Sequence, residues 1–464
     1  MSPATAETVG ALDVDTLVDG QKFGAFNLSL LFWSFLALFA DGFEISSLGV
    51  ATPHLIREWG TPAASLGPML SASLVGIFIG APLLGALGDR YGRRFAIILG
   101  CVIFGITTLA VAWATSVNQI MVLRLLTGIG MGGVMPNAIA LNSELSPKRL
   151  RASLIILMFM GISAGSATPP LVAMWGVAEH GWRLIFVVGG GIGLLAAVGL
   201  FFFLPESVKY LLGRPGREGE LLRRLRRMRR DVALPDGTIF IRPATTLKSE
   251  TSVGALFGGG LAPITLLLWL CFGTTLMANF FLNSWLPLLL EMKGVPPNEA
   301  GLIFSFYHVG GTVGGLAMAV LLARFGVSAV AALLILAAPA VVAIGLPALP
   351  AIALGLVVGF GGFCILGAQF GGNAAAGLIY PTPCRAKGVG VALAVGRIGS
   401  VLGPMVGAAM IGMHAGLFTL LLTLAVPMLL GGVAATVLAI LTWRRFGGWR
   451  LAEAPIETQS GVEG

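Results

Sequence analysis

Stretches of about 20 apolar residues recur along the whole chain, and each can cross about 30 Å of hydrocarbon as a helix. Hydrophobic residues make up 56% of the 464 residues and charged residues 11%, with a mean hydropathy of +0.92. Hydrocarbon offers no water to unpaired backbone groups, so such stretches must be helical. The sequence therefore predicts an all-α membrane protein with twelve transmembrane helices, over residues 26–50, 66–87, 95–114, 119–141, 152–177, 183–204, 263–289, 300–323, 327–346, 351–376, 388–412 and 416–442.

The distribution of lysine and arginine predicts how these spans are oriented. With an even number of spans both termini lie on one side, which carries 24 Lys and Arg residues against three on the other. Basic residues favour the cytoplasmic side, so both termini are expected in the cytoplasm. The expected location is the plasma membrane, as a bacterial inner membrane protein. The formal net charge of +8 then reflects topology, and no nucleic-acid partner is expected. Residues 1–23 carry four acids and one lysine, so a cleavable signal peptide is not expected.

The two halves of the chain echo each other. Trp33 matches Trp269 and Arg151 matches Arg385, at offsets of 236 and 234 residues. Because six is an even number, both copies cross the membrane in the same direction, as in transporters with parallel repeats and a substrate site near mid-depth between the halves. The predicted parts are a cytoplasmic tail (1–23), an N-terminal six-helix bundle (24–204), a linker (205–262), a C-terminal six-helix bundle (263–444) and a second cytoplasmic tail (445–464).

The linker contains a basic amphipathic segment, "ELLRRLRRMRR", at residues 220–230. Its apolar residues follow helical spacing and arginine fills most of the other positions. One interpretation is a helix lying on an anionic membrane surface. The alternative is a solvated basic linker that enforces the topology.

Two carboxylates, Asp41 and Glu44, lie three residues apart in the first span and therefore on one helical face. Ionisable groups inside a membrane are costly and usually functional, and two acids this close oppose joint ionisation. The pair is a candidate for proton coupling, and the alternative is a static salt bridge to a neighbouring span. Arg124 in span 4 lies at the depth of Asp41, about 22 Å from the cytoplasmic boundary. We expect Asp41 beside Arg124, with Glu44 slightly further out.

Arg397 is the one charged residue within span 11 and lies near mid-depth. An arginine offers a carboxylate a planar two-point contact, so Arg397 is the candidate substrate anchor. The alternative is a pairing across a helix interface, for instance with the region of Asp89. His308 could instead join a proton path. Amides, hydroxyls and rings in the spans complete the candidate substrate-binding set of Arg124, Arg397, Asn137, Asn283, Trp285, Tyr307, His308, Gln369, Asn373 and Phe39.

A glycine- and arginine-rich loop, "GALGDRYGRR" at residues 85–94, follows span 2. Its glycines permit a tight turn, and Asp89 is placed to meet a helix N-terminus. A second charged element follows span 4. The two elements are expected to form a gating network, and ordinary loop capping or positive-inside bias is the alternative. The candidate gating residues are Gly85, Asp89, Arg90, Gly92, Arg93, Arg94, Glu144 and Arg151.

These loops resemble the signatures of the major facilitator superfamily, Gly-x-x-x-Asp-Arg-x-Gly-Arg-Arg and Glu-x-x-Pro-x-x-x-Arg. The stretches "DGFE", "RLLTGIGMGGVMPNAIALNSE", "LPES", "GAQFGGNAAAGLIYPTPCRAKGVG" and "GRIGSVLGP" are similar to those of its aromatic acid:proton symporters. The resemblance implies proton-coupled import of a benzoate-type acid such as 4-hydroxybenzoate or protocatechuate by alternating access. It also implies that Asp41 and Glu44 are essential, although Glu44 stands where the family usually has Asp. The second-half loop, "LLARFG", lacks the acid and most arginines.

Other functions fit less well. A proton antiporter exporting acids or drugs would carry a glycine-rich motif with a central proline in span 5, which residues 161–173 match poorly. A symporter of a non-aromatic organic anion, a sugar porter and a transport-like chemoreceptor are further alternatives. No nucleophile motif, phosphate loop or metal-ligand spacing occurs in the sequence, so neither an enzyme nor a metal site is expected. The expected partners are a small aromatic carboxylate, protons and membrane lipid, with a proton gradient instead of a cofactor and a monomeric protein.

Overall fold

A computed structural model describes residues 12–229, 231–232, 234–236, 238, 240–241, 253–258, 260–347, 349–381 and 384–446. These residues are almost wholly helical. The predicted C-terminal tail, the start of the N-terminal tail and part of the linker lie outside the described residues. The helices are α1 (Val14–Asp19), α2 (Ala25–Trp59), α3 (Gly67–Tyr91), α4 (Arg93–Val111), α5 (Val117–Leu145), α6 (Lys148–Ser166), α7 (Thr168–His180), α8 (Arg183–Phe203), α9 (Val208–Leu212), α10 (Glu218–Met228), α11 (Ala262–Met292), α12 (Pro297–Phe325), α13 (Val327–Ile344), α14 (Ala351–Ile379), α15 (Arg385–Gly412) and α16 (Leu417–Phe446).

Twelve helical segments are long and apolar enough to cross a membrane, which confirms the predicted all-α membrane fold. Spans 1 to 4 are α2 to α5, span 6 is α8 and spans 7 to 12 are α11 to α16. Span 5 consists of α6 and α7, which meet at Ala167. Two prolines, Pro169 and Pro170, occupy the first turn of α7, where a missing N–H costs no helical hydrogen bond.

Turn chemistry sets several helix ends. Gly92 separates α3 from α4 with φ 110°, a left-handed conformation that glycine adopts without steric cost. Gly326, with φ 60°, makes the corresponding turn between α12 and α13. Ser116 begins α5 as an N-cap, because its side chain accepts a hydrogen bond from the backbone N–H of Gln119. These loops are therefore tight, as the repeated glycines predict.

The chain forms two compact units. The first contains the described residues of Met1–Ser47, Val75–Pro169 and Arg183–Leu247. The second contains those of Leu48–Leu74, Pro170–Trp182 and Lys248–Gly464. The boundaries cut through spans 1, 2 and 5, so each of these spans contributes one part to each unit. The two six-helix bundles over 24–204 and 263–444, which the internal repeat predicts, stay a prediction.

Glycines let helices of the second unit approach backbone to backbone. A Cβ placed on Gly362 of α14 would lie 1.9 Å from the carbonyl oxygen of Tyr307 in α12. A Cβ on Gly310 would meet the oxygen of Gly359 at 1.9 Å, and one on Gly399 that of Gly273 at 1.9 Å. Small residues at such crossings allow the van der Waals packing that holds helices together in lipid.

The segments outside the spans of the first unit pack on each other. Helix α10 contacts α1 and α9, and a short parallel pairing joins Leu12 to Phe240 and Asp13 to Ile241. The apolar residues of α10 are buried in this protein contact: Leu221, Leu222, Leu225 and Met228. The interpretation that α10 lays this face on a membrane surface is therefore wrong, because protein already covers the face.

Candidate transport site

Arg124 of α5 forms an ion pair with Glu44 of α2 inside the first unit. Both side chains are 2% exposed. The guanidinium also donates a hydrogen bond to the backbone oxygen of Glu44 at 3.3 Å and one to the Ser47 hydroxyl at 3.5 Å. Arg124 therefore pairs with Glu44, which lies one helical turn beyond Asp41. The ion pair is consistent with the matching depth of the two spans. That Asp41 also lies beside Arg124 stays a prediction.

Asp41 lies one turn before Glu44 and is also buried. The helix that carries both acids packs tightly on α6. A Cβ on Gly42 would lie 2.1 Å from the backbone oxygen of Ile162, and the Ser166 hydroxyl donates to the Gly42 oxygen at 2.8 Å. This close contact fixes the rotation of α2, and with it the direction in which the two carboxylates point.

Phe39, the aromatic candidate in span 1, is half-buried on the same helix. Its ring lies 6.4 Å from that of Phe35 in a stacked arrangement. Its backbone oxygen lies 2.0 Å from a Cβ placed on Gly165 of α6. Phe39 therefore belongs to the α2–α6 contact of the first unit.

Amide and phenol groups form a connected cluster in the second unit. Asn283 of α11 donates to the Asn279 side-chain oxygen at 2.9 Å, and the Tyr307 hydroxyl of α12 donates to the same oxygen at 2.9 Å. The Asn279 amide in turn donates to the side-chain oxygen of Gln369 in α14 at 3.3 Å. The His308 ring packs edge-on against Tyr307 at 5.3 Å. Four of the predicted substrate-binding residues are thus brought together: Asn279 bonds to three of them, and His308 joins through Tyr307.

Besides the indole nitrogen of Trp269, three buried side-chain atoms of the second unit have no hydrogen-bond partner among the described residues. They are the side-chain oxygens of Asn283 and Asn373 and the Nε2 atom of His308. Buried polar groups are usually hydrogen-bonded, and leaving one unpaired is costly. Two amide acceptors and one imidazole nitrogen are thus available to a ligand carrying hydroxyl groups.

Other predicted substrate-binding residues occupy different surroundings. Trp285 is completely buried and donates to the Pro404 oxygen of α15 at 3.0 Å, so its ring packs between α11 and α15. Arg397 is half-buried on α15, and its backbone oxygen accepts from the Ser400 hydroxyl at 2.6 Å. Asn137 donates to the Leu84 and Gly133 oxygens and accepts from Arg93, which ties it to the loop after span 2.

That loop is organised around Glu206, a residue to which the sequence reading assigned no role. Its carboxylate accepts hydrogen bonds from the backbone N–H groups of Arg94 and Ser207, at 3.2 and 2.9 Å, at the N-terminus of α4. Asp89, predicted to meet a helix N-terminus, remains largely exposed and pairs with Arg93 at 2.5 Å. The expectation for Asp89 was thus wrong, and the "LPES" stretch was the signal for the residue that takes this place.

Burial raises the pKa of Glu206, while the hydrogen bonds from Ser207, Arg94 and Arg93 and the charge of Arg94 lower it; the net direction is upward. A Cβ on Gly92 would lie 2.2 Å from a carboxylate oxygen of Glu206, so glycine leaves the space that the acid occupies.

The remaining gating candidates have different surroundings. Glu144 accepts a hydrogen bond from the Ser207 hydroxyl, and Arg151 donates to the Ser146 oxygen within its own loop at 3.4 Å. The backbone oxygen of Arg90 accepts from Tyr210 and Arg214. Gly85 has open space where a Cβ would be. In the described chain, Glu144 therefore connects to the network through a serine.

Sequence reasoning also missed an ion pair in the second unit. Arg57, near the end of α2, donates to Glu291 of α11 at 2.6 Å and contacts His54 at 3.1 Å. The adjacent Glu58 accepts from the Trp182 indole at 2.7 Å. The available signal was that Arg57 is one of three basic residues on its predicted side of the membrane. No group of three or more metal-ligating side chains occurs among the described residues.

Twelve membrane-spanning helices that bury an ion pair and an amide cluster define an integral membrane transporter. The sequence pattern of the Major Facilitator Superfamily matches residues 34–371, and the chain belongs to this family. Its relatives are transporters and not enzymes. The resemblance found in the loop signatures is confirmed.

Two relatives and one solved structure illustrate the likeness. The chain is 33% identical to the 4-hydroxybenzoate transporter PcaK of Pseudomonas aeruginosa, over 95% of this chain and 99% of that protein. It is 32% identical to the gallate transporter of Pseudomonas putida, over 93% of this chain and 94% of that protein. The xylose transporter XylE from E. coli shares the fold with a TM-score of 0.66 at 16% identity, over 90% of this chain and 99% of that one.

Proposed function

We propose that this protein imports a hydroxylated aromatic acid, such as 4-hydroxybenzoate or protocatechuate, together with protons by alternating access. The relatives that are named for 4-hydroxybenzoate and gallate support this substrate class. We place the protein in a bacterial inner membrane with both termini in the cytoplasm, because the basic residues favour that side.

The observation that carries the proton-coupling step is the buried Glu44–Arg124 pair. Within the described spans, Asp41 and Glu44 are the two buried carboxylates. A proton arriving at Glu44 neutralises the carboxylate, and the attraction to Arg124 falls with it. Glu44 thus combines a protonation site with a partner that senses its charge. In this proposal Glu44 carries the transported proton and Asp41 assists.

Substrate binding is assigned to the second unit. Arg397 anchors the carboxylate, since a guanidinium makes a planar two-point contact with it. The amide cluster around Asn279 receives the ring hydroxyl, because the Asn283 and Asn373 oxygens are buried acceptors. A hydroxyl that satisfies such an atom relieves the cost of leaving it unpaired.

Proteoliposome uptake tests the proposal. Radiolabelled 4-hydroxybenzoate should accumulate under an inward proton gradient and stop accumulating when the gradient is collapsed. Glu44→Gln should abolish accumulation but retain counterflow exchange, and Glu299→Gln, an exposed acid at the start of α12, is the matched control. Proton-driven efflux from loaded vesicles without uptake would overturn import in favour of export.

A further inference from the structure

A cavity of about 230 Å³ lies in the first unit beside the end of span 6. Four arginine side chains and one carboxylate line it: Arg94 at the start of α4, and Arg223, Arg224, Arg227 and Glu220 on α10. None of these residues belongs to the Glu44–Arg124 pair or to the amide cluster. Only Arg94 of the lining belongs to the candidate gating residues, and the arginines of α10 have no place in the proposed transport step.

The positive charge of this cavity is only partly compensated. Glu220 pairs with Arg224 at 3.4 Å and also with Arg217, outside the cavity, at 3.6 Å. Arg223 and Arg227 lie four residues apart on one face of α10, where like charges repel, and neither has a carboxylate partner in the described part of the chain. Burial, and then the charges of Arg94 and Arg227, lower the pKa of Arg224, although Glu220 opposes them.

Arg94 is a half-buried arginine that lines the cavity. Its Nε atom is buried and has no hydrogen-bond partner among the described residues. The side chain is held in place by a hydrogen bond to the Phe201 oxygen and by packing over the Phe201 ring at 5.7 Å. A guanidinium that is held in place at the wall of a cavity is suited to a phosphate oxygen.

The other wall of the cavity consists of apolar rings. Phe202 and Phe203 line it and are 70% and 60% exposed at the end of a span with mean hydropathy 2.4. Rings exposed on a membrane span face lipid, so the arginines lie at the level of the headgroups of the adjoining leaflet. A soluble anion would use the arginines but would gain nothing from these rings.

We propose that this cavity binds the phosphodiester headgroup of an anionic phospholipid, with its acyl chains lying along Phe202 and Phe203. Arginine forks recognise phosphate oxygens in two-point contacts. Because Arg94 also begins span 3 and its backbone contacts Glu206, the bound lipid links α10 to the loop after span 2.

Native mass spectrometry of the purified full-length protein tests this site without any transport step. Wild-type protein should retain phosphatidylglycerol in preference to phosphatidylcholine. Arg223→Gln/Arg227→Gln should weaken that retention roughly 10- to 30-fold, since each cation near an anionic surface contributes about one kcal/mol. The control, Arg324→Gln/Arg444→Gln, removes the same charge from exposed positions at the ends of spans 8 and 12 and should retain lipid as the wild type does.

In a second measurement, millimolar inorganic phosphate is added to the lipid-bound wild-type protein, and it should not displace the lipid. Equal retention by the wild type and both double variants would overturn the proposal. So would equal retention of the zwitterionic and anionic lipids. Displacement by inorganic phosphate would identify a soluble phosphate as the ligand and would overturn the lipid assignment. Thermal melting in detergent confirms that each variant is folded before it is compared.

Discussion

Arg124 and Glu44 form an ion pair in which each side chain is 2% exposed, within one unit and between two spans. Removing two charges from water is expensive, and their attraction repays the cost only if both partners are present. The pair therefore couples the structure of α2 and α5 to the protonation of one carboxylate. A static salt bridge and a proton carrier share this geometry, and the difference between them is how the pair responds when one charge is removed.

A double-mutant cycle on this pair should show strong coupling. Glu44→Gln and Arg124→Gln each leave one buried charge uncompensated, which costs about 3–5 kcal/mol. The double variant removes both charges of the pair, so its loss of stability should be clearly smaller than the sum of the single losses. Thermal unfolding in detergent measures the three variants. Additive losses would show that the two side chains act independently.

Glycine packing between α12 and α14 gives a second prediction. Gly362→Ala should lower the Tm by several degrees, because its Cβ would lie 1.9 Å from a backbone oxygen that cannot move without shifting α12. Gly377 lies on the same helix with open space at its Cβ position, so Gly377→Ala is the control. That variant should keep the Tm or raise it slightly, since alanine favours helices. Equal effects of the two substitutions would contradict the packing account.

The spans and their order could be predicted from the sequence because the bilayer imposes one length and one hydrogen-bonding rule on every crossing segment. Depth could be predicted as well, since a helix rises by a fixed amount per residue. The ion pair of Arg124 with Glu44 could not be singled out, because Asp41 and Glu44 differ by only one turn and share a face. The rotation of α2 depends on its packing against α6 at Gly42, which no local sequence pattern reveals.

Two other features depend on neighbours that no local pattern reveals. The apolar stripe of α10 correctly predicts that this face is buried. The stripe does not tell whether a membrane surface or a protein surface covers the face. The N-terminal helix α1, which buries Val14, Leu17 and Val18, decides between them. Glu206 follows span 6 by three residues and reaches α4 through the fold. Its role at the N-terminus of α4 therefore appears only in the folded chain, where the segment after span 6 contacts the loop after span 2.

Glu206 should give the protein a pH-dependent stability of a defined sign. An acid with a raised folded-state pKa keeps its proton in the folded chain where the unfolded chain releases it. The resulting stabilisation is complete below the unfolded value of about 4.3 and is lost as pH rises through the higher folded value. Relative to Glu206→Gln, the wild type should therefore lose Tm as the pH rises from about 4.3 through the higher folded-state pKa of Glu206.

The exposed Glu218→Gln on α10 is the control for this pH series, and it should follow the wild type at every pH. Melting is followed in one detergent and at one ionic strength, so that only protonation changes. A wild type that gains Tm relative to Glu206→Gln as pH rises would contradict the assignment. It would mean that the backbone hydrogen bonds to the carboxylate outweigh its burial.

Arg397 should be required as arginine and not simply as a cation. Arg397→Lys keeps the charge but loses the planar two-point contact with a carboxylate. We expect the KM for 4-hydroxybenzoate to rise about tenfold or more in proteoliposomes, while Arg324→Lys, exposed at the end of α12, leaves it unchanged. An unchanged KM in Arg397→Lys would remove this residue from the substrate site.

The amide cluster should determine the preference for a hydroxylated ring. The Asn283 oxygen is buried without a partner, and its amide holds Asn279, which also accepts from Tyr307. Asn283→Leu removes this acceptor, so the KM for 4-hydroxybenzoate should rise about tenfold while that for benzoate stays nearly constant. Thr274→Val on the same helix removes a hydroxyl that bonds only within α11 and should preserve the preference. An equal rise of the KM for both acids in Asn283→Leu would show that the cluster supports the fold and does not bind the substrate hydroxyl.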